Sequence, residues 1–303
     1  MKNILITGGG GFIGTHLRRK LEEQGHKVQI IDINHPDQSA GQDVTIEKTW
    51  ATLPGWHIEE FVKALPNDEN DPDIVVHMAA EPNLRAVKAN PEQAYRTMTM
   101  GVMNVVKRFN ESTIDPQFIF ISSSMVYGNF DDDGVEETHP LRPVDPYGRL
   151  KLIGEDITKA LSNKWTIVRP SAVYGPNDNL DRVIPIWINA AMNDEVLKVN
   201  GAGTFLDFTY VDDLCNGLIA TFDNNDAFGQ TFNLTRGKSI PIENVARHIV
   251  NVIGKGKVEI GLSDLDYPSR GTLNINKAKT ILGYDPKWEI SAGVNKTIEA
   301  WRS

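Results

Sequence analysis

Cysteine is almost absent. Cys215 stands alone, so no internal disulfide can form and a reducing compartment is expected. Long apolar runs are also missing: nothing approaches the roughly 18 to 20 consecutive apolar residues of a membrane span, and no membrane partner is expected. Met1-Lys2-Asn3 leads straight into a strand-like Ile4-Leu5-Ile6. That opening lacks the long apolar core of a secretory leader, and a cytoplasmic protein without a signal peptide is expected. Basic residues are in deficit, 31 against 40 acidic ones, for a formal net charge of −9. Counterion release at a nucleic-acid backbone needs clustered cations, so the balance argues against a general nucleic-acid binder. Internal repeats and low-complexity segments are lacking as well. The acidic stretches at 67–71 and Asp131-Asp132-Asp133-Gly134 read as solvated loops without the ligand spacing of a calcium loop, and no metal is expected.

What is present is a β/α alternation. Ile4-Leu5-Ile6, Val28 to Ile31, Ile74-Val75-Val76, Phe118 to Ile121 and Thr166-Ile167-Val168 are short apolar runs of the kind buried on both faces of a parallel sheet. Helical patterns fall between them, among them Gly14 to Gln24 and Pro91 to Asn110. Such alternation predicts an α/β fold with a doubly wound parallel sheet and right-handed crossovers. After about Pro170 the elements shorten and glycine turns multiply. The change of pattern predicts one α/β domain over 1–170 and a smaller second domain over 171–303, with some interleaving.

The first strand runs into Thr7-Gly8-Gly9-Gly10-Gly11-Phe12-Ile13-Gly14. Gly8, Gly11 and Gly14 are spaced by three and a helix starts at once. A loop free of Cβ atoms lets backbone N–H groups and a helix N-terminus approach a pyrophosphate, and its last glycine permits close helix–strand packing. A glycine cluster alone is often an ordinary turn. Here the next strand ends in Asp32, near the spacing at which an acid meets the adenosine ribose. That carboxylate would repel a 2′-phosphate, and Ile33-Asn34-His35 brings no Arg or Lys to offset it. The cofactor expected is NAD rather than NADP.

Tyr147 and Lys151 are four residues apart on a helix that Asp145 can cap and Pro146 can open. Of the seven tyrosines this is the one with Lys at +4. By itself the pair is an ordinary surface helix contact. Behind a dinucleotide loop it becomes a candidate base with its cation. A phenol must drop by roughly three pH units to act at neutral pH, about 4 kcal/mol. The Lys151 ammonium and an oxidised nicotinamide supply charge of the required sign. The strand Phe118 to Ile121 ends in Ser122-Ser123-Ser124, at the sheet edge where ligands bind in open α/β folds. Serines there either satisfy a turn or hold a substrate oxygen.

Taken together these residues resemble the extended short-chain dehydrogenase/reductases of the NAD-dependent epimerase/dehydratase family. The resemblance runs through Gly8 to Gly14, Asp43-Val44, His77-Met78-Ala79-Ala80, the serine run with Val126-Tyr127-Gly128, Tyr147 and Lys151. It continues through Arg169-Pro170, Val173 to Pro176, Asp207 to Asp213, and Arg270. It implies a Rossmann-type sheet with a smaller C-terminal α/β substrate domain. Gly8, Gly11, Phe12, Ile13, Gly14, Asp32, Asp43, Val44, Ala79, Ala80, Tyr147 and Lys151 would hold NAD. The catalytic set would be Ser123, Tyr147 and Lys151, and the substrate a nucleoside-diphosphate sugar. A homodimer would form through the helices at 91–110 and 146–161.

Departures from the family pattern narrow the chemistry. Leu206 precedes Asp207 where the family carries an arginine for the diphosphate, so either Arg182, Arg270 or another basic residue compensates, or the substrate is not a usual diphosphate sugar; Ser124 is a further candidate substrate contact. Ser124-Met125 stand where the 4,6-dehydratases carry Asp-Glu, and Thr99 stands where an Asn is common. The leading expectation is a nucleotide-sugar epimerase acting at C4. The alternatives are a dehydrogenase or keto-sugar reductase of the same family, a decarboxylase or dehydratase variant, and a non-catalytic NAD-binding regulator.

Overall fold

The computed structural model describes residues 1–32, 50–52, 71–81, 83–110, 115–201, 203–262 and 268–302. Six strands come from the first 170 residues: β1 (Asn3–Thr7), β2 (Lys27–Asp32), β3 (Trp50–Thr52), β4 (Ile74–His77), β5 (Gln117–Ile121) and β6 (Trp165–Arg169). The expected strands all form, each a residue or two longer than the apolar run that marks it. Beyond β6 follow β7 (Val173–Tyr174), β8 (Val196–Asn200), β9 (Phe205–Leu206) and β10 (Thr209–Tyr210), and then β11 (Gln230–Asn233) returns to pair with β6. The central sheet is parallel throughout, in the order β3-β2-β1-β4-β5-β6-β11. Its direction of winding reverses between β1 and β4, the crevice where open α/β sheets take ligands.

Side-chain alternation explains the two layers. Ile4 and Ile6 of β1 pack with Leu17 and Leu21 of the helix Phe12–Glu23 on one face. Leu5 packs on the other face, with Val105, Phe118 and Phe120. The second half also feeds the first layer, through Val211, Leu214 and Leu218 of the helix Val211–Ile219. A separate core holds the smaller C-terminal part. There Trp187 and Ile188 meet Leu197, Val199, Val245, Ile249 and Val294.

Two helical segments bear on the site. The helix Pro146–Leu161 has the expected bounds, and the Asp145 carboxylate accepts from Gly148 N at 2.9 Å as its cap. The stretch expected as one helix over 91–110 is instead interrupted. Pro91–Tyr95 and Val102–Asn110 are α-helical, and Arg96–Gly101 between them is a π-helical turn. Within it the Thr99 hydroxyl donates back to the Tyr95 carbonyl at 2.6 Å. Such turns rotate the helix face by an extra residue and recur at functional sites.

Candidate active site

The carboxyl ends of β1, β4 and β5 open onto one cavity of about 710 Å³. At its nucleotide end the glycine loop is held too tightly for side chains. Gly8 has φ +75°, and a Cβ there would fall 2.7 Å from Ala79 N; a Cβ on Gly14 would fall 2.6 Å from the Gly9 Cα. The helix behind the loop, preceded by Gly11, has no side-chain cap and no acid in its first turn, and Phe12, Ile13 and Gly14 line the cavity. This is a cradle for an anion. Asp32, at the end of β2, also lines the cavity, and its Oδ2 accepts from Gly10 N at 2.8 Å. The acid therefore pins the loop and lies on the cavity wall. These residues fit a dinucleotide. Ala79 and Ala80 form the wall beside them, and Asp43 and Val44 lie outside the described residues.

At the other end Ser123, Tyr147 and Lys151 meet. The Ser123 Oγ accepts from Met125 N at 3.2 Å, which fixes the turn after β5. Lys151 is buried, and its Nζ donates to the Ile121 carbonyl at 2.7 Å and lies 5.9 Å from the centre of the Tyr147 ring. Burial lowers Lys151 to about 8, with the Glu155 carboxylate pulling the other way. Tyr147 keeps part of its ring on the cavity wall, but burial around the hydroxyl raises it above the ordinary phenol range. The charge opposing that burial is Arg182, helped by the Ser123 hydroxyl. In this structure the cation expected of Lys151 is thus supplied by Arg182.

The remaining sequence-predicted contacts divide. Arg182 immediately precedes the helix Val183–Met192, without a side-chain cap, and lines the cavity, its Nη2 donating to the Val173 carbonyl at 3.3 Å. Arg270 sits in a loop braced by Ser269 against Asn129 and Phe130, and it is not on the cavity wall. Ser124 is buried off the wall, its N–H on the Pro170 carbonyl. Leu206 is buried in the smaller core, where β9 pairs with β12 (Ile240–Pro241) through Leu206 and Ile240.

Thr97, Glu81 and Ala172 are among the wall residues that were not foreseen. Thr97, rather than Thr99, faces the cavity, and its buried hydroxyl has no partner among the described residues. The π-helical turn decides this, and nothing in an apolar pattern announces such a turn. Glu81 lines the cavity beside Ala80, is held by Gln93 at 3.3 Å, and is raised by burial. Ala172 lines it with φ +37°, a strained backbone for a residue with a Cβ. Among the described residues no His, Cys, Asp and Glu cluster could hold a metal ion, and no helix is long and apolar enough to cross a membrane.

The family model for the NAD dependent epimerase/dehydratase family matches residues 4–235. The chain belongs to this family. Its curated relatives are enzymes of several chemistries. UDP-glucuronic acid decarboxylase 1 of Xenopus tropicalis is 30% identical over 99% of the chain and 72% of its own length. A putative UDP-glucose 4-epimerase of Methanocaldococcus jannaschii is 28% identical over 97% of each. Among solved structures, UDP-glucuronic acid 4-epimerase from Bacillus cereus, in complex with UDP-glucuronic acid and NAD, superposes with a TM-score of 0.85 at 26% identity. It covers 99% of this chain and 98% of its own. UDP-glucose 4-epimerase from Thermotoga maritima, with UDP-glucose, gives 0.87 at 25% identity, over 99% and 98%. As a member of the epimerase/dehydratase family the chain is an NAD-dependent enzyme with a Rossmann-type sheet.

Proposed function

We propose that this family member is a nucleotide-sugar epimerase acting at C4. The observation that carries the reading is the convergence of Ser123, Tyr147 and Lys151 on the same cavity as the glycine loop, with no carboxylate after Ser123. Ser124 and Met125, in the place of the dehydratase acids, are both buried. Epimerases among the structural neighbours support the choice at the level of the whole fold.

Bound NAD supplies the acceptor and later the donor of hydride at C4. Tyr147 takes the proton of the C4 hydroxyl and returns it, switching between base and acid. Ser123 holds the same oxygen. Lys151 would hold the ribose next to the nicotinamide, and the positive charge opposing the burial of the tyrosine comes from Arg182. Arg182, whose charge already opposes the burial of Tyr147, is the cation placed for the substrate diphosphate. The two stretches at 91–110 and 146–161 leave Tyr95, Met100 and Ile153 exposed, and they form the proposed homodimer face.

The test is product analysis. UDP-glucose and UDP-glucuronic acid are each incubated with the protein and NAD and followed by proton NMR and absorbance of the reduced nicotinamide. Inversion at C4 without net reduction of NAD supports epimerisation. Stoichiometric NADH assigns the dehydrogenase alternative, and release of carbon dioxide from the uronate assigns a decarboxylase.

A further inference from the structure

Behind the cavity lies a buried ion pair that none of the steps above uses. Glu155 is one helical turn beyond Lys151 and 0% exposed, and Arg169, at the end of β6, is 2% exposed. Glu155 Oε1 accepts from Ser122 Oγ at 2.6 Å and from Arg169 Nε at 2.8 Å, and Oε2 accepts from Arg169 Nη2 at 2.6 Å. Arg169 Nη1 reaches the Tyr127 hydroxyl at 3.0 Å and the Glu137 carbonyl at 3.2 Å. Tyr127 in turn donates to Asn233 Oδ1 in β11 at 2.7 Å.

The pattern along β5 is specific. Lys151 and Glu155, neighbours on one helix face, dock on consecutive residues, Ile121 through its carbonyl and Ser122 through its hydroxyl. Ser123 is the next residue. A buried ion pair adds little net stability over apolar residues of the same volume, so stability alone does not account for this one. We propose that Glu155 is a positioning residue for the Ser123–Tyr147–Lys151 set, locking the helix to the end of β5 and supplying the buried counter-charge of the Lys151 ammonium. This rests on the reading of Lys151 as part of the reaction machinery.

The charged surroundings agree. Lys151 meets Tyr147 and Glu155 on its own helix, His77 from the end of β4, and the Phe120 ring of β5 at 5.4 Å. His77 is held neutral, lowered to about 3 by burial and by the Lys151 charge. Glu155 meets Arg169 from β6, Tyr127 from the turn after β5, and Lys159 at 3.4 Å on its own helix. Glu155 is therefore the group whose attraction offsets the desolvation of Lys151.

The test reads Lys151 directly and needs no substrate. Protein labelled with carbon-13 at the lysine ε position is titrated by NMR, and the Lys151 signal is assigned from Lys151→Met. The native midpoint should lie near about 8. In Glu155→Gln it should fall by about one pH unit, the size expected for loss of a close counter-charge. Should that variant fail to fold, Glu155→Gln combined with Arg169→Met is compared with Arg169→Met alone, which differs from it by the carboxylate charge only, and the midpoint is expected to be lower in the double variant. An unmoved midpoint in a variant with native near-ultraviolet circular dichroism overturns the proposal. If the midpoint falls but no nucleoside-diphosphate sugar is turned over, the positioning charge stands and the epimerase reading fails.

Discussion

Arg182 and Tyr147 line the same cavity, and the guanidinium of the first is the positive charge that opposes the burial of the second. In the proposed epimerase this one cation would serve both the substrate diphosphate and the ionisation of the phenol. Arg182→Gln should raise the Michaelis constant for a nucleoside-diphosphate sugar by roughly ten- to a hundredfold, the equivalent of a charge-assisted hydrogen bond of about 1.5–3 kcal/mol. Turnover at neutral pH should fall too, because Tyr147 becomes harder to ionise. Arg270→Ala, off the cavity wall, should change both constants far less. Steady-state kinetics on the two variants decide between them, and the reverse ordering would return the diphosphate to Arg270.

Tyr147→Phe removes one oxygen and leaves the ring, so fold and NAD binding should survive. Turnover should drop by about 10²–10⁴-fold, the usual worth of a general acid–base group. Ser123→Ala should fall in between, since Tyr147 still reaches the same substrate oxygen. Single-turnover measurements with NAD affinity as control give the ordering. Near-native turnover in Tyr147→Phe would remove the tyrosine from the mechanism.

Cofactor choice rests on Asp32. NAD should bind at least about tenfold more tightly than NADP, a difference of about 1.4 kcal/mol. Asp32→Ala should narrow that gap and also weaken NAD itself, because the acid holds Gly10 N at 2.8 Å. Calorimetric titration with both cofactors reads the two effects separately. Equal native affinities would defeat the argument from Asp32.

The pH profile carries a sign. Lys151 is lowered by burial to about 8, so its ammonium is present below that pH and is lost as the pH rises through it. Turnover divided by the Michaelis constant, which reports the free enzyme, should therefore decline above about 8. A profile flat to pH 10 would mean that the Lys151 charge is not required.

How much of this was legible beforehand follows the range of the interactions. The glycine loop, Asp32, and the capped helix carrying Tyr147 and Lys151 are local patterns, and each lands at the cavity. Long-range placements were not legible. Arg182 and Arg270 look equivalent in the sequence, yet of the two only Arg182 reaches the wall, because it stands at the N-terminus of a helix beside the cavity while Arg270 follows a residue braced on Asn129. The return of β11 to the sheet is another such placement. Thr97 was hidden for a different reason: a π-helical turn changes the face of a helix without changing its hydrophobic character.

The most direct measurement follows deuterium placed at C4 of a UDP-hexose. In transient oxidation the C4 hydrogen leaves and returns without meeting solvent, while only the hydroxyl proton passes through Tyr147. The expected result, after equilibration in ordinary water, is that both C4 epimers keep the label and no NADH accumulates. Loss of deuterium to solvent, or NADH rising in step with a single oxidised product, would contradict epimerisation at C4.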